Sequence, residues 1–519
     1  MINGINLLPG TKQIESTTVL AVGLHFMKMA KNVFSMLFLL ISKGFRPILI
    51  RHPGLYRFAC HIKAASKELL YPSETSYDPI CTHSIQPLAV QTSPLTDQLK
   101  SVESLPQWLI REWQSIHEIE PMLFPNSGEE MVVTRDGLNP VAEIYASLSG
   151  QVEKNVTHII LVPWLDRGGA DLVAINYMKS IFHNDADLHV VVIATANAES
   201  PWASKLPEQA TFIEFGKVAS QLSYDDQTTL LVRLLLQSSP GVIHNINSRL
   251  GYDVFVRFGV ALSHASRLYM SIFCSDFTPE GRAIGYATEY LPRIFDHMTA
   301  VTVDNATFLE KMAHLYALDR NKMHLQYQPV HLFPQRDCCK SEKVGLDILW
   351  AGRIDYQKRP DILLEIIRAS SEYPFRFHIY GTSVLNRDVS IDKLASCENA
   401  HYYGVFDGLA SLPIETFDVF LYTSQWDGLP TILLDAISLY LPVVASKVGG
   451  IGELIISGYT GFAVDPFNDV NRYVDILVEI FRNNNVLRPI ADAAYQLVSQ
   501  RHSWACFDAR VRSLPGYLP

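Results

Sequence analysis

No two of the seven cysteines stand at a metal-ligating spacing, and their number is odd. The adjacent pair Cys338 and Cys339 suits neither a zinc site nor an ordinary disulfide. This usage fits a reducing cytoplasm, where the sequons at Asn155 and Asn305 carry no meaning. Long apolar runs are missing too. Residues 19–41 are strongly apolar, but Lys28 and Lys31 interrupt them, and the longest clean run, residues 33–41, is too short to span a bilayer. The small-residue cleavage pattern of a signal peptide is absent. Positive charge is in deficit: the net charge of −10 argues against a nucleic-acid binder. No repeat shorter than a domain is evident.

What is present is an ordinary globular composition, 48% hydrophobic and 18% charged, on a chain of 519 residues, long enough for two or three cores. The charge is unevenly spread. Residues 1–70 carry nine Lys/Arg against Glu15 and Glu68, so this stretch is +7 and the rest −17. A basic, apolar start on an acidic body reads as contact with a membrane surface, with a plain buried helix over residues 19–41 as the alternative. The expected location is therefore cytoplasmic, peripheral on the inner face of the membrane.

Residues 1–150 read as a mainly helical or irregular N-terminal extension of unknown role, with an amphipathic helix over residues 109–120. From residue 157 the texture changes. Apolar β-branched runs at 158–163, 188–194, 211–215, 242–245, 268–274 and 300–303 alternate with helical stretches. A second series, 346–350, 376–380, 401–403, 419–422 and 443–445, follows a polar break at 335–343. Such alternation predicts βαβ units and parallel sheets covered on both faces. The fold class is α/β, with two tandem Rossmann-like doubly wound domains, residues 151–335 and 336–519, facing across a cleft. The final helices, from 488 to about 512, are long enough to cross back onto the first domain.

Trp426-Asp427-Gly428-Leu429-Pro430 opens an apolar helix that continues to Asp435, so two carboxylates lie eight positions apart. Pro430 fits the first helical position, where its missing N–H costs nothing. Asp427 then sits in the cleft and Asp435 one and a half turns inside the helix, placed to accept ribose hydroxyls. An N-terminal cap is the plainer reading of Asp427. Gly449-Gly450-Ile451-Gly452-Glu453 adds a third carboxylate behind a glycine pair. Upstream, Gly352-Arg353 and Lys358 follow the first strand of the second domain; Arg353 can fork two phosphate oxygens while Lys358 acts as a point charge. Two cations, three carboxylates and glycine turns are what a nucleotide-sugar site needs. In the first domain, Gly168-Gly169 lies between the first strand and its helix, which suits a phosphate or a sugar, although any tight turn also uses glycine.

Three weaker candidates remain. His244 ends an apolar run and is as readily a core or cap histidine as a cleft residue. Asp276 ends another first-domain strand and is placed to touch an acceptor. Asp185 and Asp187 look like a metal-binding pair but fall in a polar connection, so a solvated turn is expected.

Together these motifs resemble the retaining GT-B glycosyltransferases of family 4, many of which build bacterial surface polysaccharides. The resemblance covers roughly residues 157–510 and is most specific at 351–363, 424–445 and 448–466. It implies donor diphosphate binding by Arg353 and Lys358 beside Gly352, a donor-sugar contact at Asp427 with Gly428 and Leu429, and a ribose contact at Asp435. Gly450 and Glu453 would line the donor pocket, and Gly168-Gly169 would be the first-domain glycine loop. The family usually carries Glu at both ends of the eight-residue spacing. Here both are Asp, each about 1.5 Å shorter in reach, one C–C bond. Where the family has a His-Asp pair, this chain has Cys274-Ser275-Asp276.

The resemblance implies glycosyl transfer from a nucleotide-diphosphate sugar to a glycan or lipid-linked acceptor, with retention and in surface polysaccharide biosynthesis. Arg353, Lys358 and Asp427 are the candidate catalytic residues, with no metal and no cofactor beyond the donor. The competing readings are an inactive GT-B scaffold in a polysaccharide assembly complex, and a nucleotide-sugar epimerase or hydrolase.

Overall fold

A computed structural model describes residues 140–519 except 153–154, 337–343 and 383–390, together with two short strands at 102–104 and 132–134 and the helical positions Arg111, Ser115, Glu118 and Ile119. The chain divides into two compact units, Met1–Leu88 and Ala89–Pro519, and everything described lies in the second. The basic segment 1–70, the apolar stretch 19–41 and Cys338-Cys339 lie outside the described residues.

Within the extension, Val102–Ser104 pairs antiparallel with Val132–Thr134, so a region expected to be helical or irregular contains a strand pair. Three residues a side are too few for an alternating pattern to stand out in sequence. The helix Pro140–Ser149 lies against the helix Tyr224–Ser238 and seats Leu148 in the first-domain core.

The first sheet has seven parallel strands: β1 (His158–Val162), β2 (Val190–Ala194), β3 (Thr211–Ile213), β4 (Val242–Ile246), β5 (Arg267–Ile272), β6 (Ala300–Val303) and β7 (Met323–Leu325). Their order is β7-β6-β5-β4-β1-β2-β3. The second sheet has six parallel strands: β8 (Leu346–Ala351), β9 (Phe375–Tyr380), β10 (Ala400–Gly404), β11 (Val419–Tyr422), β12 (Val443–Ser446) and β13 (Phe462–Val464). Their order is β10-β9-β8-β11-β12-β13. β7 and β13 are absent from the sequence expectation. Both are three-residue edge strands with little apolar run to mark them.

Each sheet is covered on both faces, which is why β1, β2, β4 and β8 are buried along their whole length and are mostly apolar; the polar residues they carry, His158, His244, Asn245 and Asp347, are buried too. In each sheet the chain order reverses once, between β1 and β4 in the first and between β8 and β11 in the second. Ligand crevices in open α/β sheets form at such reversals, beyond the carboxyl ends of the strands.

The helix Leu487–Arg501 packs Ala494 and Val498 into the second-domain core. The helix Trp504–Ser513 instead lies on Gly169–Asn184 of the first domain, where Asp508 accepts hydrogen bonds from Ser180 Oγ and His183 Nδ1, both at 2.6 Å. Tyr517 continues this contact into the first sheet. His244 lies there: fully buried, Nδ1 2.9 Å from the Tyr517 hydroxyl and Nε2 2.9 Å from Ser271 Oγ. Burial, with His158 nearby, pushes its pKa down to about 3. His244 is a core histidine and does not reach the cleft.

Candidate functional site

The loop after β8 and the loop after β11 meet at the reversal of the second sheet. From the first comes Lys358, whose Nζ donates to Asp427 Oδ2 at 2.6 Å and to the Tyr422 hydroxyl. Tyr422 in turn donates to the same Asp427 oxygen at 2.6 Å. Burial opposes the Lys358 charge, but Asp427 and Tyr422 outweigh it and hold the amine above its usual range. Burial, then Asp427, raises the Tyr422 phenol, so it stays a proton donor. Asp427 Oδ1 accepts the Gly428 N–H at 3.1 Å. The carboxylate thus faces Lys358 and caps no helix.

Gln357 joins the two loops. Its amide donates to the Trp426 carbonyl at 2.9 Å, and its side-chain oxygen accepts from Arg353 at 2.7 Å. Arg353 also lies 3.3 Å from Asp355 and is 49% exposed, so the guanidinium remains open to a ligand at the mouth of the crevice. Tyr422 and Gln357 were missed in sequence. Their only signals are a tyrosine at a strand end and a glutamine between two cations.

Pro430, with ψ of 125°, precedes the helix Thr431–Ser438 as its cap residue and is not the first helical residue, a one-position correction. Asp435 lies on the fifth residue of that helix. Its carboxyl makes no hydrogen bond with any described residue, and burial alone raises its pKa to about 6. Gly449, at φ 52°, packs on the Asp427 carbonyl, where a Cβ would stand 1.8 Å from the oxygen. Gly450 N–H donates to the Gly428 carbonyl at 2.9 Å, so the glycine pair braces the Asp427 loop from behind.

Across the cleft, Gly168 precedes and Gly169 opens the helix Gly169–Asn184, and a Cβ on Gly169 would be 3.9 Å from Thr431 Oγ1. The first-domain glycine loop therefore faces the start of the Asp435 helix. Next to it, Arg167 donates to the Phe406 carbonyl at 3.1 Å. Trp426 Nε1 donates to Asp276 Oδ1 at 3.3 Å, which brings Asp276 to the edge of the site. Cys274 is close as well; burial, with Asp427, Asp276 and Asp304 around it, raises its thiol well above the usual range.

Glu453 departs from expectation. Rather than lining the pocket with a free carboxylate, it accepts from Ala306 N (3.1 Å), Thr307 N (2.6 Å), Thr307 Oγ1 (2.6 Å) and Tyr327 OH (2.6 Å). These close the N-terminus of the first-domain helix Ala306–Tyr316, whose unpaired amides favour a carboxylate. Burial opposes the Glu453 charge, but these donors prevail and hold its carboxyl below the usual range. Asn305 is buried and caps the same helix by accepting from Phe308 N at 2.8 Å. Asp185 and Asp187 form a turn, with Asp187 N–H donating to Asp185 Oδ1 at 3.0 Å.

Among the described residues no group of three or more His, Cys, Asp or Glu is arranged to hold a metal ion, and no helix is long and apolar enough to cross a membrane.

Residues 345–483 match the family described as group 1 glycosyl transferases. A 41.2 kDa protein of the Klebsiella pneumoniae cps region is 29% identical over 339 residues, covering 62% of this chain and 89% of its own length. The Escherichia coli O-antigen biosynthesis glycosyltransferase WbnH is 32% identical over 151 residues, which cover 29% of this chain and 43% of that enzyme. Among solved structures, Anabaena Alr3699/HepE in complex with UDP and glucose superposes with a TM-score of 0.52 at 15% identity, covering 69% of this chain and 99% of that one. TarM does so with a TM-score of 0.56 at 12% identity, over 69% of this chain and 98% of that one. The two-sheet architecture is that of the GT-B fold.

Proposed function

We propose that this chain, of the group 1 glycosyltransferase family and GT-B fold, moves a sugar from a nucleotide-diphosphate donor to a glycan or lipid-linked acceptor in surface polysaccharide biosynthesis, with retained configuration and without a metal. The observation that carries the reading is the meeting of Arg353, Lys358 and Asp427 at the strand-order reversal of the second sheet, with the helix that carries Asp435 starting opposite the glycine loop of the first. UDP in the HepE structure and the O-antigen role of WbnH support the donor class and the pathway class.

In this reading the exposed Arg353 forks the diphosphate, and Lys358 shares its charge between Asp427 and the departing phosphate. Asp435, with no described protein partner, accepts the ribose hydroxyls. Asp427 hydrogen-bonds the donor sugar. The bond from the anomeric carbon to the phosphate oxygen breaks, the bond to the acceptor oxygen forms on the same face, and the leaving phosphate takes the acceptor proton. Closing the domains positions the two reactants, which supplies much of the rate. The basic segment 1–70 would hold the protein at the cytoplasmic face of the membrane, where a lipid-linked acceptor is presented.

The test is a calorimetric screen of the full chain against nucleotide sugars and free nucleoside diphosphates, with chelator present, followed by NMR of the product's anomeric configuration. A nucleoside diphosphate that binds wild type but not Arg353→Ala supports the donor site. No binding by folded protein sinks it, and an inverted product overturns retention alone.

A further inference from the structure

Asp304 stands at the carboxyl end of β6 in the first domain, and its side chain is turned into the second. Its Oδ2 accepts the Leu429 N–H at 3.2 Å, and its Oδ1 accepts from Asn305 Nδ2 at 2.7 Å. The fit is tight. A Cβ on Gly428 would stand 2.9 Å from both Asp304 Oδ2 and the Phe273 carbonyl, and one on Gly450 would stand 2.5 Å from Asn305 Cβ. Two consecutive amides, Gly428 and Leu429, are thus taken by carboxyl groups from opposite domains: Asp427 takes the first and Asp304 the second.

We propose that Asp304 is a positioning residue for the Asp427 loop, tying Gly428-Leu429 to the first domain so that Asp427 is set in place only when the domains are together. This rests on the proposed donor-sugar role of Asp427.

The chemistry of the surroundings bears this out. Asp304 is buried, Asp427 and Glu453 both face it, and Cys274 lies close by; among the described residues the Asn305 amide and the Leu429 N–H donate to it. Burial first, then the two neighbouring carboxylates, hold its pKa up at about 8 despite those hydrogen bonds. An aspartate free in solvent titrates near 4, so bringing the domains together favours the protonated form of Asp304. An apolar residue would fill the same seam at lower cost. What the carboxyl adds is a directed acceptor for one amide, next to the carboxylate that touches the donor sugar.

The experiment compares full-length wild type, Asp304→Ala and Asp304→Asn by hydrogen exchange and by steady-state turnover of UDP-glucose. Loss of the acceptor in Asp304→Ala should speed exchange in segment 424–432 by about tenfold, the yield of one hydrogen bond, and leave segment 470–482 as in wild type. In the same variant kcat should fall about 30-fold while KM stays within about threefold, because a small misplacement of a reacting group costs rate more than affinity. Asp304→Asn keeps one accepting oxygen and should recover most of kcat. Wild-type kcat should decline above about pH 8, as Asp304 ionises beside Asp427 and Glu453, and Asp304→Asn should lose that decline. Unchanged exchange at 424–432 in Asp304→Ala overturns the proposal, and so does a loss that falls on KM alone. If wild type turns over none of a panel of nucleotide sugars and binds no nucleoside diphosphate, the donor reading fails, and the exchange result alone still decides the role of Asp304.

Discussion

Lys358 Nζ lies 2.6 Å from Asp427 Oδ2, with only 13% and 14% of the two side chains exposed. Residues read in sequence as acting on different parts of a donor, one on phosphate and one on sugar, neutralise each other before any ligand arrives. In the proposed reaction a donor phosphate entering the crevice would compete with Asp427 for Lys358, which would couple the position of the carboxylate to donor binding.

Removing either partner leaves a mostly buried charge beside the Tyr422 hydroxyl. Lys358→Ala and Asp427→Ala should each destabilise the protein by about 3 kcal/mol, whereas the double variant should cost clearly less than their sum. Urea unfolding of the three variants measures this. Strict additivity would mean that the ion pair contributes nothing to the folded state.

Arg353 behaves differently because its guanidinium is half exposed. Arg353→Ala should shift stability by less than about 1 kcal/mol and weaken nucleoside-diphosphate binding by at least tenfold, as expected for loss of a forked phosphate contact. Thermal unfolding and calorimetric titration with UDP separate the two effects. A variant that binds UDP as well as wild type would remove Arg353 from the site.

Gly450 has no room for a side chain: its Cβ would meet Asn305 Cβ at 2.5 Å and the Gly428 carbonyl at 2.9 Å. Gly450→Ala should hold the domains apart, raise the radius of gyration in small-angle scattering and lower turnover by at least tenfold, with both sheets still folded. Normal compaction with normal turnover would show that the seam can relax.

Asp435 carries a pKa raised to about 6 by burial. A carboxyl raised in the folded state keeps its proton longer there than when unfolded, so stability is greatest below its unfolded pKa and is lost as pH rises through about 6. Asp435→Asn should therefore raise Tm at pH 7.5 and leave it nearly unchanged at pH 4, while weakening binding of UDP. Differential scanning calorimetry at the two pH values checks the sign. Equal shifts at both would assign the effect to packing.

The two parallel sheets were legible because strands buried on both faces are rich in apolar residues, as β1, β2, β4 and β8 are even with His158, His244, Asn245 and Asp347 among them. The loops that carry Arg353, Lys358 and Asp427, and the helix that carries Asp435, were legible because a loop and the helix it opens are contiguous in sequence, within a dozen residues of each other. Asp304, Tyr327, Gln357 and Tyr422 carry no such local mark. Asp304 meets Leu429, and Tyr327 meets Glu453, only after two separate sheets have folded and come together. For the same reason Glu453 reads in sequence as a third donor-site acid, yet its partners are Tyr327 and the start of a first-domain helix, 126 to 147 residues earlier in the chain. Pattern and spacing determined which elements form and which loops carry charge. The tertiary structure decided which charges neutralise each other, because Coulomb and hydrogen-bond energies depend on distance in space and on burial, and neither is written in sequence separation.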